Sequence, residues 1–394
     1  MKKDTMMANT SQKIPVTIIT GFLGSGKTTL IHQIARNANG RRLAIIVNEF
    51  GELGMDGEIL KGNDCGCEEE NILELSNGCL CCTVQEEFLP TMLQLMERKD
   101  QIDHIIIETS GLALPKPLVR AFNWPDLKPQ ITVDAVVTVV DAVGQATGEI
   151  CDRAKVQEQR LADESLDHES SIEELFEDQL ACADLIIMTK SDLIEETQFN
   201  EVRTIIQNKV DTNIKIISGV KGDIPVDILL GLNMKSEDFV EEKHSHHEVH
   251  HHHHHDHHHH DHKHDHHHEH NHDHGHHHHH DHDHDHHHHH DHDHDETINS
   301  LVVEIKAPHT PKQLVKVLGE LVAEFEIYRI KGIIHVPNKP MRMIVQGVAN
   351  RFENYFDRKW KEGEHKATRL VIIGEKLEET TLMNAIENKL TVTA

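Results

Sequence analysis

The stretch Gly-Phe-Leu-Gly-Ser-Gly-Lys-Thr-Thr at residues 21–29 constrains the fold more than any other part of the sequence. It follows the apolar run 14–20 and opens into a helical pattern over 28–38, so a G-x-x-x-x-G-K-T loop lies between a predicted strand and a predicted helix. The glycines let backbone N–H groups surround an anion, and the helix N-terminus adds its positive dipole end. The motif therefore predicts a site for a nucleoside triphosphate.

Individual residues of this loop have separate expected roles. The Lys27 ammonium is expected to reach the β- and γ-phosphates as a catalytic group, and the Thr28 hydroxyl is expected to coordinate Mg²⁺. The residues expected to bind the nucleotide are Gly21, Gly24, Ser25, Gly26, Lys27, Thr28 and Thr29.

Apolar strand-like runs alternate with helical patterns from residue 14 to about residue 218, which predicts an α/β domain with a mostly parallel sheet. Most of these runs are continuously apolar, as expected of strands that are covered on both faces. The predicted strands are 16–20, 43–47, 102–107, 132–140, 185–189 and 214–217. The predicted helices are 28–38, 86–97, 152–162, 171–183 and 197–208.

A histidine tract divides the chain. Residues 244–294 hold 35 histidines in 51 residues, interleaved with acidic side chains, and such a composition has nothing apolar to bury. We therefore predict a P-loop domain over 1–235, a disordered linker over 236–297 and a C-terminal domain over 298–394. The tract is interpreted either as a metal reservoir, because neutral imidazole is a common metal ligand, or as a solvated spacer.

The last part of the chain has the pattern of a small α+β domain with its helices on one face of a sheet. The predicted strands are 301–305, 328–336, 341–348 and 368–373, and the predicted helices are 311–325 and 379–390. His309, His335 and His365 are expected to be ordinary surface or edge histidines rather than metal ligands. No enzyme-like group of residues is predicted here.

Composition excludes several classes of function. The formal charge of −28, of which the histidine tract contributes −10, argues against a nucleic-acid partner. No run approaches the roughly 20 apolar residues of a membrane span, and the N-terminus lacks the apolar run of a signal peptide. The seven cysteines are mostly crowded between residues 65 and 82, which is not typical of a disulfide framework. We therefore expect a soluble, cytoplasmic protein without a membrane partner.

The element Thr189-Lys190-Ser191-Asp192 follows a predicted strand and has the K-x-D spacing of a guanine reader. One aspartate carboxylate accepts both adjacent N–H donors of guanine, and adenine leaves that carboxylate half-paired. Asp192 is therefore expected to select GTP, with the stem of Lys190 covering the base. Thr189 stands where such elements usually carry Asn, a departure expected to loosen the base pocket, and a plain surface turn is the alternative interpretation.

Glu108 ends the strand-like run 103–107 and precedes Thr-Ser-Gly at 109–111. A carboxylate in this place in a P-loop fold normally faces Mg²⁺ or its water, and a glycine lets a backbone N–H approach the γ-phosphate. Asp141 also ends an apolar run and is an alternative for the same role. Glu108 is favoured as the catalytic carboxylate because Gly111, expected to bind nucleotide, follows at the right distance.

Three thiols in four residues, Cys79, Cys81 and Cys82, are more than packing requires. The N-terminus of the following predicted helix would favour thiolates, which are suited to Zn²⁺ or Co²⁺ in a tetrahedral site. A redox dithiol is the alternative, although adjacent cysteines form a poor disulfide. Cys151 and Cys182 are expected to be ordinary buried cysteines. The remaining metal ligands are expected among Glu49, Glu52, Cys65 and Cys67.

Taken together, these motifs resemble the CobW family, which belongs to the metal-handling branch of P-loop GTPases with the hydrogenase and urease nickel chaperones. The resemblance covers nearly the whole chain apart from the linker. The segments that carry it are 48–52 (Asn-Glu-Phe-Gly-Glu), 67–70 (Cys-Glu-Glu-Glu), 108–124, 163–170 and 175–180.

The resemblance implies a Mg²⁺-dependent GTPase that carries Co²⁺ to an acceptor, such as the cobaltochelatase that inserts cobalt into the corrin ring in cobalamin biosynthesis. In that mechanism Mg²⁺·GTP orders the switch segment 48–58, and hydrolysis releases the metal. A zinc-supply chaperone of the same architecture is an alternative, because Zn²⁺ binds most nitrogen and sulfur sites more tightly than Co²⁺. A metal-storage protein with a vestigial GTPase is a further alternative.

Overall fold

Two sheets organise the chain. The structure is a computed structural model, and it describes residues 13–48, 72–75, 88–151, 153–162, 171–243, 298–307, 309–349 and 351–392. The first sheet lies in the N-terminal part and the second lies in the C-terminal part. This is the predicted fold class, an α/β P-loop domain with a mostly parallel sheet followed by a small α+β domain.

Parallel strands form the first sheet, and every strand pair described in it is parallel, as predicted. The strand bounds are β1 Ile14–Thr20, β2 Leu43–Asn48, β3 Ile72–Leu75, β4 His104–Glu108, β5 Ile131–Asp141, β6 Leu185–Thr189 and β7 Lys215–Gly219. The order β3-β2-β4-β1-β5-β6-β7 places β1 at the centre of the sheet. β3 was not predicted, because a run of four residues does not establish a period.

Helices cover both faces of this sheet. Their bounds are α1 Lys27–Arg36, α2 Leu89–Glu97, α3 Pro115–Ala121, α4 Ala142–Thr147, α5 Arg153–Ala162, α6 Ile172–Ala181, α7 Glu196–Gln207, α8 Val226–Leu229 and α9 Ser236–Phe239. Ile19 of β1 packs in a core with α1, whereas Ile18 packs in a second core with α2 and α3. The predicted helices that correspond to α1, α6 and α7 are confirmed, with ends that differ by one or two residues.

The second sheet is antiparallel and carries two helices on one face, as predicted. Its elements are β8 Ile298–Ile305, α10 Pro311–Glu324, β9 Ile327–Ile334, β10 Met341–Val348, β11 Arg351–Lys359, β12 Thr368–Glu375 and α11 Glu379–Val392, with the strand order β11-β10-β9-β12-β8. β11 was not predicted, because this edge strand is mostly polar and largely exposed. No helix in the described part of the chain is long and apolar enough to cross a membrane.

The two sheets share a continuous interface. Tyr328 and Ile373 of the second sheet belong to the same buried core as Ile224 and Val226 of the first domain. Arg329, which is buried, donates hydrogen bonds to the backbone carbonyls of the segment 227–231. The C-terminal domain is therefore held against the loop that follows β7 and against α8.

Candidate functional site

The phosphate-binding loop depends on glycine at defined positions. Gly24 and Gly26 have φ angles of 73° and 94°, which side chains with a Cβ rarely adopt. At Gly21 an added Cβ would lie 2.2 Å from the carbonyl oxygen of Val139, so the loop passes too close to β5 for any larger residue. Gly26 precedes α1, and no described side chain caps that helix. The N–H groups of its first turn therefore face the loop and suit an anion.

The Lys27 side chain folds back onto the phosphate-binding loop that precedes it in the chain. Its side chain is buried, and Nζ donates hydrogen bonds to the carbonyl oxygens of Gly21 at 2.8 Å and Phe22 at 3.0 Å. These bonds hold the ammonium against the backbone of the loop. A buried cation beside a helix N-terminus makes this position strongly favourable for a phosphate.

Thr28 and Glu108 meet because their strands are neighbours. Ile19 of β1 pairs with Glu108 at the end of β4, so the loop after β1 begins beside the Glu108 carboxylate. The Thr28 hydroxyl donates to Glu108 Oε1 at 3.2 Å, and Glu108 is only 6 % exposed. A hydroxyl and a carboxylate are hard oxygen ligands of the kind that Mg²⁺ prefers. These residues therefore fit a Mg²⁺ ion at this place.

Asp141, the alternative to Glu108, is occupied by structural contacts. Its Oδ1 accepts hydrogen bonds from the backbone N–H groups of Val143 at 2.9 Å and Gly144 at 3.2 Å, which makes it the N-cap of α4. Its Oδ2 accepts a hydrogen bond from Lys190 Nζ. The structure therefore places the Lys190 ammonium on Asp141, and Glu108 remains the predicted catalytic carboxylate.

Thr189 ties the phosphate loop to the end of β6. Its buried hydroxyl donates to the carbonyl oxygen of Ser25 at 2.6 Å, and the carbonyl oxygen of Val140 lies 3.2 Å away. Although Thr189 stands in place of the usual Asn, its hydroxyl therefore still makes a hydrogen bond to the phosphate-binding loop. The hydroxyl of Ser25 itself is buried and has no hydrogen-bond partner among the described residues. An unpaired hydroxyl in this loop is consistent with a polar ligand there.

Asp192 is exposed in a short 3-10 turn, Ser191–Leu193, directly after β6. It lines a cleft of about 700 Å³ together with Ser218 and Asp223. Thr189 pairs with Gly219 at the end of β7, so the residues after β7 lie at the same sheet edge. Sequence analysis missed Ser218, which lines the cleft; the signal was a polar residue directly after the apolar run 214–217.

Gly111 packs on the phosphate loop, because an added Cβ would lie 2.7 Å from the backbone nitrogen of Leu23. The loop that contains it is held by Gln179 of α6, which is fully buried. Gln179 Nε2 donates to the carbonyl oxygens of Gly111 and Ala113, both at 3.1 Å. Gln179 was also missed; a single amide on the apolar face of α6 was the available signal. The loop after β4 is therefore fixed from two sides.

The predicted transition-metal ligands lie outside the described residues. These are Cys79, Cys81, Cys82, Glu49 and Glu52, together with Cys65, Cys67 and the histidine tract. Within the described ranges no three His, Cys, Asp or Glu side chains are grouped so as to hold a metal. Burial raises the pKa of the Cys182 thiol to about 12, which favours the protonated thiol expected of a buried cysteine. Cys151 is only partly buried.

Comparison with known proteins decides the family. Residues 15–218 match the model described as "CobW/HypB/UreG, nucleotide-binding domain", and residues 298–390 match "Cobalamin synthesis protein cobW C-terminal domain". The chain belongs to the CobW/HypB/UreG family. The resemblance of its motifs to that family is thereby confirmed.

Two relatives are similar to this chain over more than nine-tenths of its length. A Sinorhizobium protein named "Zinc chaperone CobW" is 44% identical over 92% of this chain and 93% of its own length. A Pseudomonas aeruginosa protein of the same name is 45% identical over 97% of this chain and 92% of its own length. Among solved structures, the Zn(II)-bound YjiA GTPase from Escherichia coli is 23% identical, covers 96% of this chain and 99% of its own, and has a TM-score of 0.37.

Proposed function

We propose that this CobW-family protein is a GTP-hydrolysing metallochaperone that binds a divalent transition metal at Cys79, Cys81 and Cys82 and delivers it to an acceptor protein. The observation that carries this proposal is the identity of 44% and 45% to two relatives named zinc chaperones, over more than nine-tenths of the chain. The loop geometry at residues 21–28 supports the nucleotide half of the function. The three thiols in four residues support the metal half.

The chain's own residues would bind the nucleotide in three places. The N–H groups of the phosphate loop and the Lys27 ammonium hold the phosphates, and Asp192 reads the guanine edge from the cleft beside β6. Thr28 and Glu108 would hold Mg²⁺, which when bound neutralises charge on the β- and γ-phosphate oxygens. Lys27 would stabilise the charge that develops on the transferred phosphoryl group; its hydrogen bonds to the carbonyl oxygens of Gly21 and Phe22, which keep the ammonium beside the loop, support this role.

The strand order explains how the nucleotide and the thiols could influence each other. Asn48 at the end of β2 pairs with Leu75 at the end of β3, and Ile46 of β2 pairs with Ile107 beside Glu108. Cys79 follows Leu75 by four residues, a reach of at most about 14 Å in an extended chain. The thiols, the segment that begins at Glu49 and the Glu108 carboxylate therefore follow neighbouring strand ends at one sheet edge.

Zinc is the cargo that we favour, because two relatives that match over more than nine-tenths of the chain are named zinc chaperones and thiolates suit Zn²⁺. Cobalt for corrin-ring insertion is the second candidate, with a cobaltochelatase as acceptor. The observation that favours cobalt is the match of residues 298–390 to a domain described by cobalamin synthesis. Competition between Zn²⁺ and Co²⁺ for the purified full chain, with GTP analogue present, separates the two cargoes.

The test of the proposal is metal affinity in different nucleotide states. We expect Zn²⁺ and Co²⁺ to bind the full chain much more tightly with Mg²⁺ and a GTP analogue than with GDP, and a hundredfold difference corresponds to about 2.7 kcal/mol of coupling. Equal affinities in both states would contradict the proposal. Turnover of GTP with and without metal separates a chaperone from a storage protein with a vestigial GTPase, which would hydrolyse no GTP.

Cysteine variants locate the metal site. Replacement of both Cys81 and Cys82 by Ala should abolish tight binding, whereas Cys151→Ala, the matched control, should leave it unchanged. Deletion of residues 244–294 should lower the number of ions bound and leave one tight site. Tight binding that survives the double replacement would place the cargo site elsewhere in the chain.

A further inference from the structure

The cleft beside Asp192 has walls from both domains. Asp192 and Ser218 line it from the first domain, and Ile298, the first residue of β8, lines it from the C-terminal domain. We propose that Ile298 forms part of the guanine-base site. Nucleotide binding is thereby linked to the packing of the C-terminal domain against the first domain. This inference rests on the proposed function, since it requires guanine to bind at Asp192.

The chemistry of the cleft suits a planar base. Asp192 offers a carboxylate to the polar edge of guanine, while Phe199, Val220, Pro225 and Ile298 contribute apolar surface. Ligand sites combine apolar surface with polar groups that fix orientation, and this cleft also has polar lining from Gln33, Arg36 and Asn37. Among the described residues, Ile298 contributes apolar surface to the cleft from the second domain.

Ile298 is held in place by its own sheet. Its backbone pairs with Glu375 of β12, and Glu375 accepts a hydrogen bond from the Tyr328 hydroxyl at 2.8 Å. The next residue, Asn299, donates from Nδ2 to the carbonyl oxygen of Leu377 at 2.7 Å and accepts from the backbone N–H of Leu377 at 2.9 Å. The position of Ile298 therefore follows the position of the C-terminal domain as a whole.

The loop after β7 connects the same two surfaces. Val220 lines the cleft, whereas Ile224, four residues later, packs in the core with Tyr328 and Ile373 of the C-terminal domain. Movement of that domain would shift both Ile298 and this loop. Coupling between two binding events is reciprocal. Bound nucleotide therefore stabilises the packing of the C-terminal domain by the same free energy by which that packing stabilises the bound nucleotide.

Nucleotide affinity of the full chain with Ile298 replaced tests this inference. We expect Ile298→Ala to weaken GDP binding about fivefold, or about 1 kcal/mol, and Ile298→Val to weaken it less. Inorganic tripolyphosphate with Mg²⁺, which occupies the phosphate loop but has no base, should bind both variants as it binds the unchanged chain. Val302→Ala is the matched control, because Val302 lies on the same strand, is 68% exposed and does not line the cleft.

The outcomes separate the possible failures. A selective loss of GDP affinity in Ile298→Ala, with Val302→Ala unchanged, supports the inference. Unchanged GDP affinity in Ile298→Ala overturns it, and so does an equal loss of GDP and tripolyphosphate, which would mean that the phosphate loop was damaged instead. An unchanged chain that binds GDP no better than ADP overturns the guanine assignment of the proposed function, and the inference with it.

Discussion

Replacement of Thr189 by Val tests whether the hydroxyl of this residue organises the phosphate loop. Valine has nearly the same shape, so the change removes the hydrogen bonds to the carbonyl oxygens of Ser25 at 2.6 Å and Val140 at 3.2 Å and leaves the packing in place. A hydroxyl has one proton, and the shorter contact to Ser25 is the stronger of the two. The main loss is therefore the hydrogen bond to the loop.

The expected magnitude follows from burial. Thr189 is 5% exposed, and a buried carbonyl group that loses its donor costs about 2 kcal/mol in the free energy of unfolding. If about 1.4 kcal/mol of this loss arises from disorder of residues 21–28 in the variant, GDP binding becomes about tenfold weaker. The reason is that nucleotide binding must then restore the ordered conformation of the loop. Thr189→Asn should retain more of the affinity, since its amide can still donate.

The assay combines urea unfolding without nucleotide and calorimetric titration with Mg²⁺·GDP. Thr17→Val is the matched control, because Thr17 is fully buried in β1 and its hydroxyl makes one hydrogen bond, to His104 Nε2 at 2.8 Å. It should lose a similar amount of stability while GDP affinity stays within about twofold of the original. Equal GDP affinities of Thr189→Val and Thr17→Val would refute the reasoning.

Three further predictions follow from single side chains. Glu108→Gln should lower single-turnover GTP hydrolysis by about 100-fold with little change in GDP affinity; an undiminished rate would exclude this carboxylate. Asp192→Asn should weaken GTP binding by about 100-fold and improve binding of the xanthine nucleotide, whose C2 carbonyl accepts from the new amide; equal GTP affinity would argue for a plain surface turn. Burial lowers the pKa of His104 to about 4, assisted by Arg41 and opposed by Asp134. The unfolded chain therefore gains a proton below about pH 6.5 that the folded chain does not, and stability in urea should fall by about 2 kcal/mol from pH 7.5 to pH 5. His104→Gln should remove that fall, and a persistent slope would contradict the assignment.

The parts of the fold that sequence predicts are those that local patterns dictate. Glycine spacing and the apolar runs around residues 21–29 place β1, the loop and α1, because the strand–loop–helix order follows from neighbouring residues. β3 and β11 escape this reasoning. β3 has only four residues, and β11 is a polar edge strand whose existence depends on pairing with β10.

Partners that come from distant elements could not be predicted either. In the sequence Thr189 is only a departure from the usual Asn. Its role depends on a hydrogen bond to the carbonyl oxygen of Ser25, which lies 164 residues earlier in the chain. Gln179 reads as a helix residue, and only the packing of α6 brings its amide to the carbonyl group of Gly111. Ile298 follows a long low-complexity stretch and gives no signal at all. Tertiary contacts assign these roles.

Asp134 and Ser25 lie at opposite edges of the first sheet and differ in their hydrogen bonding. At the amino edge, Asp134 accepts backbone N–H bonds from Gly231, Leu232 and Asn233 at 2.6, 2.9 and 2.6 Å, which fastens the segment before α9. At the carboxyl edge the Ser25 hydroxyl lacks a partner among the described residues. Saturated buried groups resist rearrangement, whereas an unsatisfied one gains free energy when a ligand supplies its hydrogen bond. Nucleotide binding should therefore act at the carboxyl edge, where Ser25 lies, and reach the C-terminal domain through Ile298 and the loop after β7.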